Sequence, residues 1–146
     1  MTDYSFQGII VDIKADNSHA SARVIATATA QDDLSGGKTM ISAGAVVVSN
    51  GVFIDIGAAD AHNVVGIANQ TRAVGDSRPL TYTRKGMVHA IKDATAITAG
   101  DRLKVGAQGM VTPAPADGSE APHEIGKALE TSTGAVGTII VMELTL

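Results

Sequence analysis

Several groups of residues in this 146-residue chain have types and spacings that could do chemistry. Gly37-Lys38-Thr39 has the ending of a phosphate-binding loop, but the full pattern needs a glycine five positions before Gly37, where Asp32 stands. Asp32-Asp33 would repel a phosphate. The β-branched, Gly-rich stretch after Thr39 is also a poor start for the helix whose N-terminus should receive the anion. Ser35 to Lys38 satisfies Ser-x-x-Lys, yet the companion motifs of that enzyme class are absent and the chain is too short for its second domain. Both phrases read as loop. The four histidines, His19, His62, His89 and His123, show no pair at metal-ligand spacing. His62 and His123 stand just ahead of two similar segments, Val64-Val65-Gly66 and Glu124-Ile125-Gly126. They read as a symmetric pair of pH-sensitive or metal-binding groups, or more plainly as two loop caps. Asp55, Asp60 and His62 would meet at a divalent ion only if their loop folds back; solvated acids are the simpler reading.

No Gly-x-Ser-x-Gly frame surrounds any serine, so a hydrolase triad has no starting point. Asn69-Gln70-Thr71 fits the glycosylation sequon, which matters only on a secretory route. Lys85-Gly86 could be the exposed hairpin tip of a swinging-arm carrier for biotin or lipoate, and Ala99-Gly100-Asp101 suits such a domain. The flanking Arg84 and Met87 do not form the frame its ligases read. These residues predict no catalytic site, cofactor or metal, and no enzyme.

The elements that would position such groups are β-strands. Strand-like runs occupy Phe6–Ile13, Arg23–Ala30, Ala45–Val48, Val52–Ile56, Val64–Ala68 and Pro79–Arg84, with Gly86 expected to turn the last into Met87–Ile91. Asn50-Gly51 is a good hairpin turn because it accepts positive φ cheaply. Arg102–Val105, Met110–Thr112, Ile125–Leu129 and Val136–Leu144 follow; only Ala121–Glu130 is ambiguous with helix. Sixteen glycines punctuate these runs, which fits the turns and bulges of a barrel or sandwich.

Composition narrows the classes further. The net charge of −4 and scattered Lys and Arg argue against a nucleic-acid binder. Cysteine is absent, so no disulfide framework is available. The start of the chain has neither the basic residues nor the long apolar run of a secretory signal, and no stretch approaches the roughly 20 apolar residues of a membrane span. The expectation is a soluble protein made in the cytoplasm. Aromatic residues make up only 3%, so the core rests on Val, Ile, Leu and Ala. Burial against a partner would supplement so modest a core.

The chain also repeats itself. Thr39-Met40-Ile41-Ser42-Ala43-Gly44 returns as Thr95-Ala96-Ile97-Thr98-Ala99-Gly100. Asn50-Gly51-Val52 answers Gln108-Gly109-Met110, Ala61 to Ala68 answers Ala121 to Ala128, and Val74-Gly75 answers Val136-Gly137. Two copies are too few for a solenoid and suit two halves of one domain. The expected organisation is an N-terminal arm or added strands over residues 1–37. A β-domain of two pseudo-repeats follows over 38–146, divided at about 38–93 and 94–146.

Ala96 to Val105, Gln108 to Val111, Glu124 to Glu130 and the ending Gly134 to Leu144 resemble the capsid decoration, or cement, proteins of tailed bacteriophages. The resemblance covers about residues 39–146 and departs in the N-terminal segment and in the Pro-rich loop 113–122. It implies an all-β fold, a small barrel or β-tulip-like domain. It also implies a homotrimer on the outside of an expanded head, bound to the major capsid protein, stabilising the shell against internal DNA pressure. The localisation implied is the outer capsid surface of the virion, with no membrane or nucleic-acid partner. Phe6, Ile9, Ile10, Val11 and Ile13 form the candidate capsid-contact arm, because an apolar terminal strand can add to a neighbour's sheet edge. A glycan-binding phage module and the carrier domain are the alternatives; scarce aromatics count against the first.

Overall fold

A computed structural model describes residues 24–28, 34, 38–49, 53–73, 76 and 78–146. The expected strand Phe6–Ile13, the turn at Asn50-Gly51 and the repeated phrase Val74-Gly75 lie outside these residues. The chain is all-β: among the described residues nine strands form one antiparallel sheet, eight of them along a curled half-barrel path and the ninth paired beside it, and two more form a small separate sheet. In chain order the strands are β1 (Val24–Ala28), β2 (Met40–Ile41), β3 (Val46–Ser49), β4 (Ile54–Ile56), β5 (Val64–Ala68) and β6 (Arg72–Ala73). Then come β7 (Leu80–Ile91), β8 (Arg102–Val105), β9 (Val111–Pro113), β10 (Glu124–Ala128) and β11 (Ile139–Thr145).

The sheet order is β4-β3-β5-β7-β11-β10-β8-β9, a palindrome if β3, β4, β5 and β7 are exchanged for β8, β9, β10 and β11. Hydrogen bonds obey the same exchange. Gly44 N–H donates to Ala68 O at 2.7 Å, and Gly100 N–H to Ala128 O at 2.8 Å. Ala43 N–H reaches the Thr71 hydroxyl at 3.1 Å, and Ala99 N–H the Thr131 hydroxyl at 3.0 Å. Both glycines have φ 95°, the left-handed third position of a type II turn, which explains why the repeated phrase ends in glycine.

β7 belongs to both halves. Its first part pairs with β1 and β5, and its second part with β11. Ala28 opposite Leu80 and Ala26 opposite Tyr82 match Ala90 opposite Ile140 and Val88 opposite Met142. β1 therefore stands to β7 as the end of β7 stands to β11. No repeated phrase marks this match, because strand pairing is made by backbone groups and leaves residue types free.

The expected hairpin at Gly86 is not formed. β7 runs through it as twelve residues, with Gly86 at φ 104° inside the strand. Partners on both sides of this point hold it straight: Lys85 pairs with Val24 of β1 and with Thr145 of β11. Lys85 is thus mid-strand and not at the exposed tip a carrier domain needs. The ambiguous stretch Ala121–Glu130 resolves into a 3-10 turn, Ala121–His123, followed by β10.

Two apolar clusters fill the halves. Ile41, Val47, Ile54 and Leu80 lie in the first, and their counterparts Ile97, Leu103, Val111 and Ile140 in the second. The symmetry breaks on the opposite faces. Val46 and Ile67 of the first half are fully buried against the second cluster, whereas their counterparts Arg102 and Lys127 are exposed. This is why β3 reads as an unbroken Val-Val-Val run while β8 alternates: a strand covered on both faces needs apolar residues at every position. Leu34 adds to the first cluster. Lys92, at the end of β7, is fully buried, its ammonium donating to the carbonyls of Asp93 and Gly134 at 2.7 Å each.

Candidate functional site

Two regions gather side chains beyond what folding alone requires. The first is a polar seam between the halves. Loop 57–63, between β4 and β5, lies against β8 and the turn that follows it. Asp60 N–H donates to Val105 O at 3.1 Å, and Gly109 N–H to Gly57 O at 2.7 Å. Asp60 has φ 58°, which aims its carboxylate at Lys104. Lys104 Nζ contacts Asp60 Oδ1 at 2.9 Å and also pairs with Glu120. The ammonium hydrogen bond holds the Asp60 carboxyl below its ordinary range. Glu120 first, then Asp60, pushes the lysine up.

The imidazoles of His62 and His123 meet beside this triad, ring centres 4.6 Å apart and tilted by 49°. The two histidines that precede matched strands therefore touch, as a consequence of the sheet's curl. Arg102 pairs with Glu124 at 3.4 Å. His123 Nδ1 and Glu124 Oε2 are buried and have no hydrogen-bond partner among the described residues. The suggested meeting of Asp55, Asp60 and His62 at an ion does not occur. Asp55 accepts a hydrogen bond from Ile56 N–H in its own strand and Asp60 is held by Lys104. Among the described residues no group of three or more His, Asp or Glu is placed to hold a metal ion. Lys38 and Thr39 lead into strand β2 and not into a helix, so a phosphate loop lacks its anion-binding end.

The second region is apolar. The face of β7 and β11 turned away from the second cluster forms an open groove of about 600 Å³. Met87 and His89 of β7 and Ile139 and Val141 of β11 line it, with the small residues Ala43, Gly44 and Ala68 and the polar Asn69 on the first-half side. Met87 and Ile139 are each 46% exposed, large for apolar side chains at the middle of a sheet. Sequence reading missed this groove, although the signal was present. Ile139-Ile140-Val141-Met142 is apolar at every position, and only Ile140 and Met142 face the core. The candidate arm residues Phe6, Ile9, Ile10, Val11 and Ile13 lie outside the described residues.

Charge pairs, a ring contact and an apolar groove can bind and hold; they supply no nucleophile with a base beside it. Comparison with known proteins agrees with this character. A family model described as phage cement protein matches residues 25–143. Among solved structures, the chain is similar to the head fiber N base of bacteriophage phi29. The identity is 20% with a TM-score of 0.61, over 85% of this chain and 95% of that one. At that identity the likeness is one of fold. No curated protein matches the chain.

Proposed function

The chain belongs to the phage cement protein family, and from that membership we propose that it binds the outside of an expanded phage head and reinforces the shell. It is a phage capsid-associated structural protein. In this reading it bridges neighbouring major capsid subunits as a homotrimer, after synthesis in the host cytoplasm, and acts mechanically against the pressure of packaged DNA. The family match over residues 25–143 carries the proposal. An apolar face with Met87 and Ile139 exposed and Val141 half-buried supports it, because such surface is stabilised by cover from a partner. Even a modest interface acts strongly when many copies engage one lattice.

Residues 1–37 are assigned here to contact and edge cover, and 38–146 to the two-repeat body. Within the first, Phe6, Ile9, Ile10, Val11 and Ile13 make the capsid contact by adding a strand to a neighbouring sheet edge. The test is co-sedimentation of the purified protein with expanded heads prepared without it. Saturable binding at a fixed ratio to capsid subunits, with greater heat resistance of the heads, is expected. Absence of binding overturns the reading. A protein lacking residues 1–13 should keep its fold and lose head binding. Full-strength binding by that truncation would remove the arm from the account while leaving the cement role standing.

A further inference from the structure

We propose that the groove between β7 and β11 is the seat of the chain's own N-terminal apolar segment, Phe6–Ile13, while the protein is free of heads. β1 runs antiparallel to β7, and its first residue, Val24, lies opposite Lys85. β1 thus begins at the point of β7 where β11 takes over the pairing edge, next to Met87 and His89 at the near wall of the groove. The polar residues 14–23 supply the return path. At about 3.3–3.6 Å per extended residue they reach over 30 Å, several times the length of strand that lines the groove.

Chemistry matches on both sides. The groove presents mostly apolar side chains, with His89 and Asn69 as its polar members and no carboxylate or ammonium among its lining residues. The segment Phe-Gln-Gly-Ile-Ile-Val-Asp-Ile carries one charge, Asp12. In extended form Ile9, Val11 and Ile13 share one face, and Asp12 points from the other. Ala43, Gly44 and Ala68 leave room for such β-branched side chains, and docking covers Met87 and Ile139. The inference rests on the reading of this segment as the head-contact arm. The same apolar residues are then stored on the protein's own surface until a capsid edge replaces the groove as their partner.

The chain has no cysteine, so a single thiol can be placed at will. A nitroxide on the full-length His89→Cys variant should broaden the amide resonances of residues 6–13 at least several-fold more than the same label on Ala116→Cys, in the loop between β9 and β10. The effect should persist when the isotope-labelled, spin-labelled protein is diluted into excess unlabelled protein, and Met87→Asp should abolish it. Broadening that vanishes on dilution would assign the groove to a second copy and overturn the proposal. Equal or absent broadening for the two labels would overturn it as well. This experiment uses free protein only, whereas the arm reading is tested on heads, so either can fail without the other.

Discussion

Gly66 and Gly126 occupy matched places where no side chain fits. A Cβ on Gly66 would collide with the Thr83 carbonyl oxygen and come within 2.8 Å of the Tyr82 ring. One on Gly126 would collide with the Glu143 carbonyl and stand 2.7 Å from Met142 Cε. Backbone atoms of a paired strand cannot give way as a flexible side chain does. Gly66→Ala and Gly126→Ala should each destabilise by roughly 1–3 kcal/mol, the usual cost of overpacking, read from chemical denaturation. A second residue-scale effect is electrostatic. Arg78 donates to both oxygens of Asp76, from Nε to Oδ1 and from a terminal guanidinium nitrogen to Oδ2, and this pulls that carboxyl down to about 2 from 3.8. Because the folded value is depressed, the pair's contribution is present above the unfolded value and is lost as pH falls from about 4 toward about 2. Wild type should be more stable than Asp76→Asn at neutral pH, with the difference closing across that window in denaturation curves taken at stepped pH.

At the scale of elements, β7 decides how the two halves behave. It supplies Leu80 to the first cluster, Val88 and Ala90 to the second, and pairs with β1, β5 and β11. Neither half has a complete sheet without it. Leu80→Ala and Ile140→Ala remove matched, fully buried side chains from the two clusters. Each should cost about 2–5 kcal/mol. Both variants should still unfold in one transition, with circular dichroism and NMR signals from the two halves coinciding. Separate transitions would mean that the shared strand does not couple them. The strand's length also explains why Gly86 misleads as punctuation. A glycine within a strand-like run fits a turn or a continuous strand equally well, and only the neighbours of β7 select the second.

Over the whole molecule, the curl of the sheet carries the loops ahead of β5 and β10 to a common seam. Lys104 there ties Asp60 of one half to Glu120 of the other. Lys104→Met should lower Tm, and the loss relative to wild type should shrink in molar salt, because pairs open to solvent are screened. Calorimetry at low and high salt reads both. The sequence by itself determined the all-β class, most strand positions, the two matched phrases and the cement-protein resemblance. These are local properties: period-two alternation, glycine at left-handed turns, and side-chain types that recur wherever the same turn recurs. Tertiary structure alone decided that β7 serves both halves, that β1 repeats its pairing, that His62 meets His123, and that Met87 lines a groove with Ile139. Such facts depend on which strands become neighbours and how far the sheet curls. Backbone hydrogen bonds set the first almost without regard to side chain, and packing across the whole core sets the second.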